Sequence, residues 1–391
     1  MKRKGLKIAY LIPGMYNSGG MERILSTMAN YLVDQWNAEV HIITTEQKGR
    51  PYFFPVSVKV KTLDLDINFY EKEKEGYLEK WYSRNRKKIV YKQRLEHALQ
   101  EIKPDITVTL FGLEIDFINS LTDGSIKVGN MQFFKDFRSR YLSTHTRNPL
   151  LRMEAKMRNR QMVNQAGKLA ALIVLTEKDL HDWQEVKNAR TIPNPLPFTF
   201  EGEARLTNKQ VISVGRLSFE KGFDLLIDAW KIIAEKKPDW TLNIYGKGNM
   251  EAELRARIQS LSLENSVLIH APVQDIWNKY AESSIYVLPS RYEGLPTVLL
   301  EAMYCGLPSV AFRSMNDPED ILADGETGLL VEKENVSQLA QKTEMLMESY
   351  PERLKMGSGA RQNTEKYQVH TVMRQWIGLF EDLIQKKDIN K

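Results

Sequence analysis

The sequence predicts an α/β protein made of two doubly wound parallel-sheet domains, and three observations carry that prediction. Short β-branched runs alternate with helical patterns along the chain. The strands are apolar throughout, and a proline-rich break falls near the middle. Strands without a polar face are buried on both sides, as in a parallel sheet covered by helices on both faces. The length of 391 residues suits two domains at the usual ~100–200 residues each.

In the first half the strands read KIAYLIP at 7–13, EVHIITT at 39–45, VKVKTL at 58–63, ITVTLF at 106–111, IKVGNMQ at 126–132 and ALIVLT at 171–176. Helical patterns lie between them at 21–33, 86–102 and 150–166. The basic start, MKRKGLK, runs straight into a short apolar stretch with no small-residue cleavage site. It reads as a buried strand rather than a signal peptide. The break is Pro193-Asn194-Pro195-Leu196-Pro197, stiff and non-helical, which suits a linker at 193–197 between domains 1–192 and 198–369. In the second half the strands read VISVG, TLNIYG, SVLIHA, IYVLPS, SVAF and GLLV, with helices at 222–235, 250–260, 276–283 and 297–304. A last helix is expected at 370–387 from the spacing of Val372, Trp376, Phe380 and Leu383.

Composition excludes several classes. Hydrophobic residues at 42% and charged residues at 27% are those of a folded globular chain. No apolar run reaches the ~18 residues of a membrane-spanning helix. The one cysteine, Cys305, leaves no disulfide framework and no cysteine-rich zinc site, and makes the cytoplasm the expected compartment. The net charge of +5 is unevenly spread: up to residue 192 there are 32 Lys+Arg against 22 Asp+Glu, leaving 23 against 28 in the remainder. Arg84, Arg86, Lys87, Lys88, Lys92, Arg94 and Lys103 cluster on one helical pattern, and Arg138, Arg140, Arg147, Arg152, Lys156, Arg158 and Arg160 form a second group. These are either solvated faces or surfaces that settle on the anionic inner face of a membrane. No zinc-finger spacing, RNA-binding aromatic motif or aromatic-interleaved basic tract points to nucleic acid.

Three segments of the second half carry chemistry. Gly215-Arg216-Leu217-Ser218-Phe219-Glu220-Lys221-Gly222 follows a strand and precedes a helix. Arg216 offers a planar fork of donors for phosphate oxygens and Lys221 a point charge near a helix N-terminus; the plain alternative is a turn with solvated cations. Gly246-Lys247-Gly248 is a strand-to-helix turn of weak specificity. The third, Ser290-Arg291-Tyr292-Glu293-Gly294-Leu295-Pro296-Thr297, leads to a helix with Glu301 among apolar neighbours. That helix end offers N–H groups to a diphosphate. A buried carboxylate at Glu301 needs a partner, which ribose hydroxyls would supply; the alternative is a carboxylate satisfied by the helix dipole.

Together these segments resemble glycosyltransferase family 4. The E-x7-E pair Glu293/Glu301 in EGLPTVLLEAMYCGLP is similar to that family's signature, and residues 215–222 to its upstream motif. Ile192-Pro193-Asn194-Pro195 resembles its linker, GETGLL at 325–330 its late turn, and Gly19-Gly20-Met21-Glu22-Arg23 its first glycine loop. The resemblance implies the GT-B architecture: two Rossmann-like domains facing a central cleft, with the helix at 370–387 crossing back onto the first. It implies retaining transfer of a hexosyl unit from a nucleotide sugar, with no metal or other cofactor. The EGLPTVLLEAM form leans to UDP-hexoses. The acceptor would be a glycan or lipid-linked chain of a cell-surface polysaccharide or glycolipid.

By motif, Arg216 and Lys221 grip the donor diphosphate, Glu293 faces the donor sugar and Glu301 the ribose. Gly215, Gly246, Gly294, Leu295, Pro296 and Thr297 complete the donor side, and Gly19, Gly20 and Gln132 belong to the first-domain loops on the acceptor side. Cations fixed at the leaving diphosphate stabilise an oxocarbenium-like transition state more than the ground state. The chain departs from the family at Asn130-Met131-Gln132, where many members carry a histidine. Glutamine can hydrogen-bond a sugar hydroxyl but cannot exchange a proton near neutral pH. Asp64-Leu65-Asp66 could hold a metal in another transferase architecture but sits far from the diphosphate motifs. Two other functions compete: a catalytically inactive subunit with a transferase fold, and a nucleotide-dependent oxidoreductase. Gly14, Gly19 and Gly20 do not fit the G-x-G-x-x-G spacing that the second requires.

Overall fold

A computed structural model describes residues 5–69, 77–135, 148–200, 202–313 and 321–389. The basic positions Arg138, Arg140 and Arg147 lie outside the described residues. The chain forms two compact units, Met1–Pro195 with Val369–Lys391, and Leu196–Gln368.

In the first unit the elements run β1 (Lys7–Ile12), α1 (Gly20–Asp34), β2 (Glu39–Thr44), β3 (Lys61–Asp64), α2 (Tyr77–Ile102), β4 (Ile106–Thr109), β5 (Ile126–Asn130), α3 (Pro149–Ala166), β6 (Ala171–Val174), α4 (Glu177–Asp182) and β7 (Ala189–Thr191). Seven strands pair in the order β3-β2-β1-β4-β5-β6-β7, all parallel. Alternation along β1 explains the double layer. Ile8, Tyr10 and Ile12 pack with α1. Ala9 and Leu11 pack with Tyr91, Leu95 and Leu99 of α2. The C-terminal helix, Val369–Ile389, places Val372, Met373, Trp376 and Phe380 in the α1 side of this core.

The second unit contains β8 (Gln210–Val214), α5 (Phe223–Lys236), β9 (Thr241–Tyr245), α6 (Glu251–Ser260), β10 (Val267–His270), α7 (Ile276–Glu282), β11 (Ile285–Leu288), α8 (Thr297–Tyr304), β12 (Ser309–Phe312), β13 (Gly328–Val331), α9 (Val336–Glu348) and α10 (Tyr350–Asn363). Its six parallel strands run β10-β9-β8-β11-β12-β13. Val211, Ile285, Val287 and Val310 meet α5 and α9 on one face. Their neighbours Ile212, Tyr286 and Leu288 are buried toward the other face.

Several boundaries differ from those the sequence suggests. The expected strand at 58–63 is the short edge strand β3, with Val58 fully exposed before it. The division between units falls at Pro195/Leu196, and the last helix starts one residue earlier and ends two later than its apolar spacing indicates. The helix expected at 222–235 begins at Phe223, after a separate 3-10 turn over Phe219–Lys221.

Candidate functional site

The geometry of the site follows from strand order. In the second sheet β8 lies between β9 and β11, so the chain's progression across the sheet reverses there. Crossovers leave such a point toward opposite sides and open a crevice at the strand carboxyl ends, where ligands of these folds bind. The two loops leaving those ends are residues 215–222 after β8 and 289–296 after β11. The segments singled out for their residue types therefore occupy the one place on the sheet where topology makes a crevice.

Lys221 and Glu293 meet there. Lys221 Nζ donates to Glu293 Oε1 at 2.5 Å, and Ser290 Oγ donates to the same oxygen at 2.7 Å. Arg216, on the loop that carries Lys221, is exposed, and its guanidinium has no hydrogen bond or ion pair among the described residues. Gly294 is partly exposed, while Leu295 and Pro296 pack inward. Pro296 is the residue before α8, with Thr297 as its first helical residue, and no side chain caps that end. The leading N–H groups of α8 thus have no intrahelical acceptor, the condition in which a helix end receives an anion.

Two glycines shape these loops. Gly222 takes a left-handed backbone (φ +65°), and a Cβ there would stand 2.0 Å from the carbonyl oxygen of Pro289. It therefore lets the 3-10 turn end, α5 begin, and the β11 loop pass directly above. A Cβ on Gly246 would come 1.9 Å from the carbonyl oxygen of Gly215. The Gly246-Lys247-Gly248 turn is thus packed as a floor under the Arg216 loop, with Leu217 N–H donating to Lys247 O at 3.0 Å. Gly215 itself makes only ordinary contacts.

Glu301 lies in α8 and is 1% exposed. Tyr280 of α7 donates its hydroxyl to Glu301 Oε2 at 3.2 Å, a protein partner that the sequence did not indicate. Arg291, two residues before Glu293, is almost fully buried between the two motif loops; it too went unread, since nothing local marks a partner 67 positions away.

The first-unit residues lie on other loops. Gly19 is the extended residue that opens α1, and a Cβ there would meet Glu22 Oε2 at 2.3 Å; Gly20 is the first residue of the helix. Gln132 follows β5 and is tied to the linker. Its amide nitrogen donates to Asn130 Oδ1 (2.8 Å) and Asn194 Oδ1 (3.1 Å), and Asn194 donates back to its oxygen at 2.8 Å. Both Gln132 donors are occupied, leaving oxygen acceptor capacity for a ligand. Asp64 is committed to a turn, accepting from Thr44 Oγ1 at 3.0 Å and Lys48 N–H at 2.9 Å. Among the described residues no group of three or more His, Cys, Asp or Glu is placed to hold a metal. The second carboxylate-bearing turn, after β4, also went unread: Glu114 is buried and accepts from Gly112 N–H (3.0 Å) and Tyr91 hydroxyl (3.2 Å). Burial pushes its pKa up against those bonds.

The chain is similar to known proteins in sequence and in fold. Residues 198–363 match the family described as "Glycosyl transferases group 1". An "Uncharacterized glycosyltransferase" of Haemophilus influenzae is 31% identical over 378 residues, covering 95% of this chain and 99% of its own. A Campylobacter jejuni alpha-1,4-N-acetyl-D-galactosaminyltransferase, whose name specifies an acceptor glycan on PP-undecaprenol, is 24% identical over 383 residues, covering 97% and 99%. The crystal structure of a mutant of Staphylococcus aureus TarM, in complex with fondaparinux, alpha-GlcNAc-glycerol and UDP, superposes with a TM-score of 0.76 at 17% identity, covering 96% of this chain and all of that one.

Proposed function

The chain belongs to the glycosyl transferases group 1 family and has the GT-B fold, and from that premise we propose that it is a retaining, family 4 transferase that moves a hexosyl unit from a UDP-hexose. The acceptor is a glycan or lipid-linked chain in polysaccharide or glycolipid assembly. The observation that carries this reading is the contact between Lys221 and Glu293 at the reversal point of the second sheet, on the loops beside Arg216 and the uncapped end of α8.

Each group has a task. As the glycosidic bond to the diphosphate breaks, negative charge grows on the leaving oxygens. Arg216, Lys221 and the N–H groups at Thr297 receive it, the role a metal takes in other transferases. Glu293, held by Ser290 and Lys221, accepts from donor-sugar hydroxyls and fixes the ring over the breaking bond. Glu301, oriented by Tyr280, accepts from ribose. A phosphate oxygen of the leaving group takes the acceptor proton on the same face of the sugar, so no side chain is needed as base. The C. jejuni relative supports a lipid-diphosphate acceptor by its name, and the TarM complex supports UDP as the carrier.

A membrane-facing role belongs to the same reading. Among the described residues no helix is long and apolar enough to cross a membrane. The outward faces of α2 and α3 carry Ile89 (62% exposed), Met153 (56%) and Met157 (65%). Arg86, Lys156 and Arg160 are exposed beside them. Not all of the basic stretch is available: Lys88 pairs with Asp116, and Arg94 donates to Leu65 O at 2.6 Å. The remaining cations and apolar tips suit peripheral contact with anionic lipid.

A thermal-shift and UDP-release panel over nucleotide sugars, with and without a lipid extract as acceptor source, tests the function. One UDP-hexose should raise Tm and release UDP with chelator present. Glu293→Ala should cut turnover by roughly a hundredfold or more while changing UDP affinity much less. Indifference to every nucleotide sugar, or activity restored only by added metal, would overturn the reading.

A further inference from the structure

We propose that Arg291 is a positioning residue for the donor site, a clamp on Asp224 and the Phe219–Lys221 turn that holds Lys221 in register with Glu293. The proposal rests on the donor-site reading above.

The need for a clamp comes from the sheet. β8 and β11 pair only at Val211 with Ile285 and Ile212 with Tyr286. Ser213 Oγ extends the junction by donating to Val287 O at 2.7 Å. The two motif loops then leave the sheet where its strands part, so the ladder does not fix their relative height.

Arg291 spans the gap with its backbone N–H and three of its five guanidinium N–H donors. Its backbone N–H donates to Glu220 O at 2.8 Å. Nη1 donates to Phe219 O at 2.8 Å and to Asp224 Oδ1 at 2.8 Å, and Nη2 donates to Asp224 Oδ2 at 2.6 Å. The guanidinium lies over the Phe219 ring, 4.1 Å from its centroid. Nε faces Glu334 Oε2 at 3.6 Å, from the turn after β13. Arg291 is 6% exposed. Its anchor Asp224 sits in the first turn of α5, immediately after the Lys221–Gly222 corner. Burial works against the Asp224 carboxylate, but the hydrogen bonds and charge of Arg291 outweigh it and hold that carboxyl below its usual range.

Geometry assigns the role. The atoms that Arg291 grips belong to the two residues just before Lys221 and the third after it. Arg291 itself is two residues from Glu293. The fork is planar and rigid, so it sets both the distance and the tilt of one loop against the other. A lysine keeps the charge and loses that constraint. The hydrogen bonds of Arg291 run to Phe219, Glu220 and Asp224 around the Lys221 turn, so it acts through Lys221 rather than by touching the donor.

Isothermal titration with free UDP tests this on wild type, Lys221→Met, Arg291→Gln, Arg291→Lys and the double variant Lys221→Met/Arg291→Gln, with folding checked by cooperative thermal unfolding. Lys221→Met and Arg291→Gln should each weaken UDP by about tenfold or more. The double variant should bind within about twofold of Lys221→Met alone, because both substitutions remove one contribution. Arg291→Lys should fold and still bind weakly. Losses that multiply in the double variant would assign Arg291 an independent structural role and overturn the proposal, as would wild-type UDP binding by Arg291→Gln. Unchanged UDP binding by Lys221→Met would instead overturn the donor-site reading and the proposal with it. Should Arg291→Gln fail to fold, Asp224→Asn replaces it in the same cycle, with the same non-additivity expected and the same multiplicative result counting against it.

Discussion

Lys221 and Glu293 are 72 positions apart in the chain and in contact in the fold. Lys221 was singled out as a cation on a glycine-bearing loop after an apolar strand, with a turn of solvated cations as the alternative, and Glu293 through the E-x7-E resemblance. Arg291, Tyr280 and Asn194 were not. Arg291 reads as one more cation beside the motif, and its partners Asp224 and Phe219 O are fixed only by tertiary packing. Asn194 looks like linker polarity until Gln132 is seen to close a two-way amide pair with it. The opposite error threatens at basic residues: Lys88 and Arg94 count toward a charged surface in the sequence but are turned to Asp116 and to backbone carbonyls. A residue-scale prediction concerns Glu39, at the start of β2. A hydrogen bond from Lys61, then one from His41, holds its pKa down to about 2. A carboxyl depressed in the folded state contributes stability above its unfolded value of about 4.3, and loses it as pH falls toward 2. In Glu39→Gln, the Tm deficit relative to wild type should be present at pH 6 and shrink steadily below pH 4. A deficit independent of pH would refute this.

At the scale of elements, buried strands were the clearest signal, because runs such as ALIVLT and IYVLPS are short, β-branched and apolar, and are bounded by turn residues. The edge strand β3 was misplaced because one neighbour and an exposed face impose little pattern on it. α9 and α10 were not expected from the sequence. α10 holds Gly357 and Gly359 and has almost no apolar stripe, so its stability is tertiary. Ser349 accepts from Glu352 N–H at 3.3 Å at its start. Arg353 reaches back to the carbonyls of Leu346 (2.6 Å) and Met347 (3.0 Å), closing the end of α9. The C-terminal helix was legible from spacing alone, and its packing carries a prediction. Trp376 is 1% exposed in the core of the first unit. Trp376→Ala should lower unfolding free energy by about 3–5 kcal/mol in urea titration. A loss under about 1 kcal/mol would mean that the helix does not seal that core.

At the scale of the whole molecule, the second unit is one continuous stretch, whereas the first is assembled from both ends of the chain. The two ends of the second unit are paired, with Leu196 N–H donating to Tyr367 O at 2.7 Å. The charge imbalance of the first half, visible in the sequence, finds its outlet on α2 and α3 in the first unit. Sedimentation with phosphatidylglycerol vesicles should therefore capture the protein at about 0.05 M salt and release it at about 0.5 M. Lys156→Glu with Arg160→Glu should abolish capture at the lower concentration, and salt-independent or unaltered capture would count against an electrostatic contact.

The floor beneath Arg216 bears on how substrate preference could be altered. Because Gly246 and Gly222 are pressed against neighbouring carbonyls, a saturation library would lose variants at both positions to misfolding, whatever sugar was offered. Their intolerance would imitate a ligand contact. Diversity aimed at a new donor belongs instead at side chains that the scaffold leaves unengaged, with Arg216 retained and Lys247 and Thr297 randomised first.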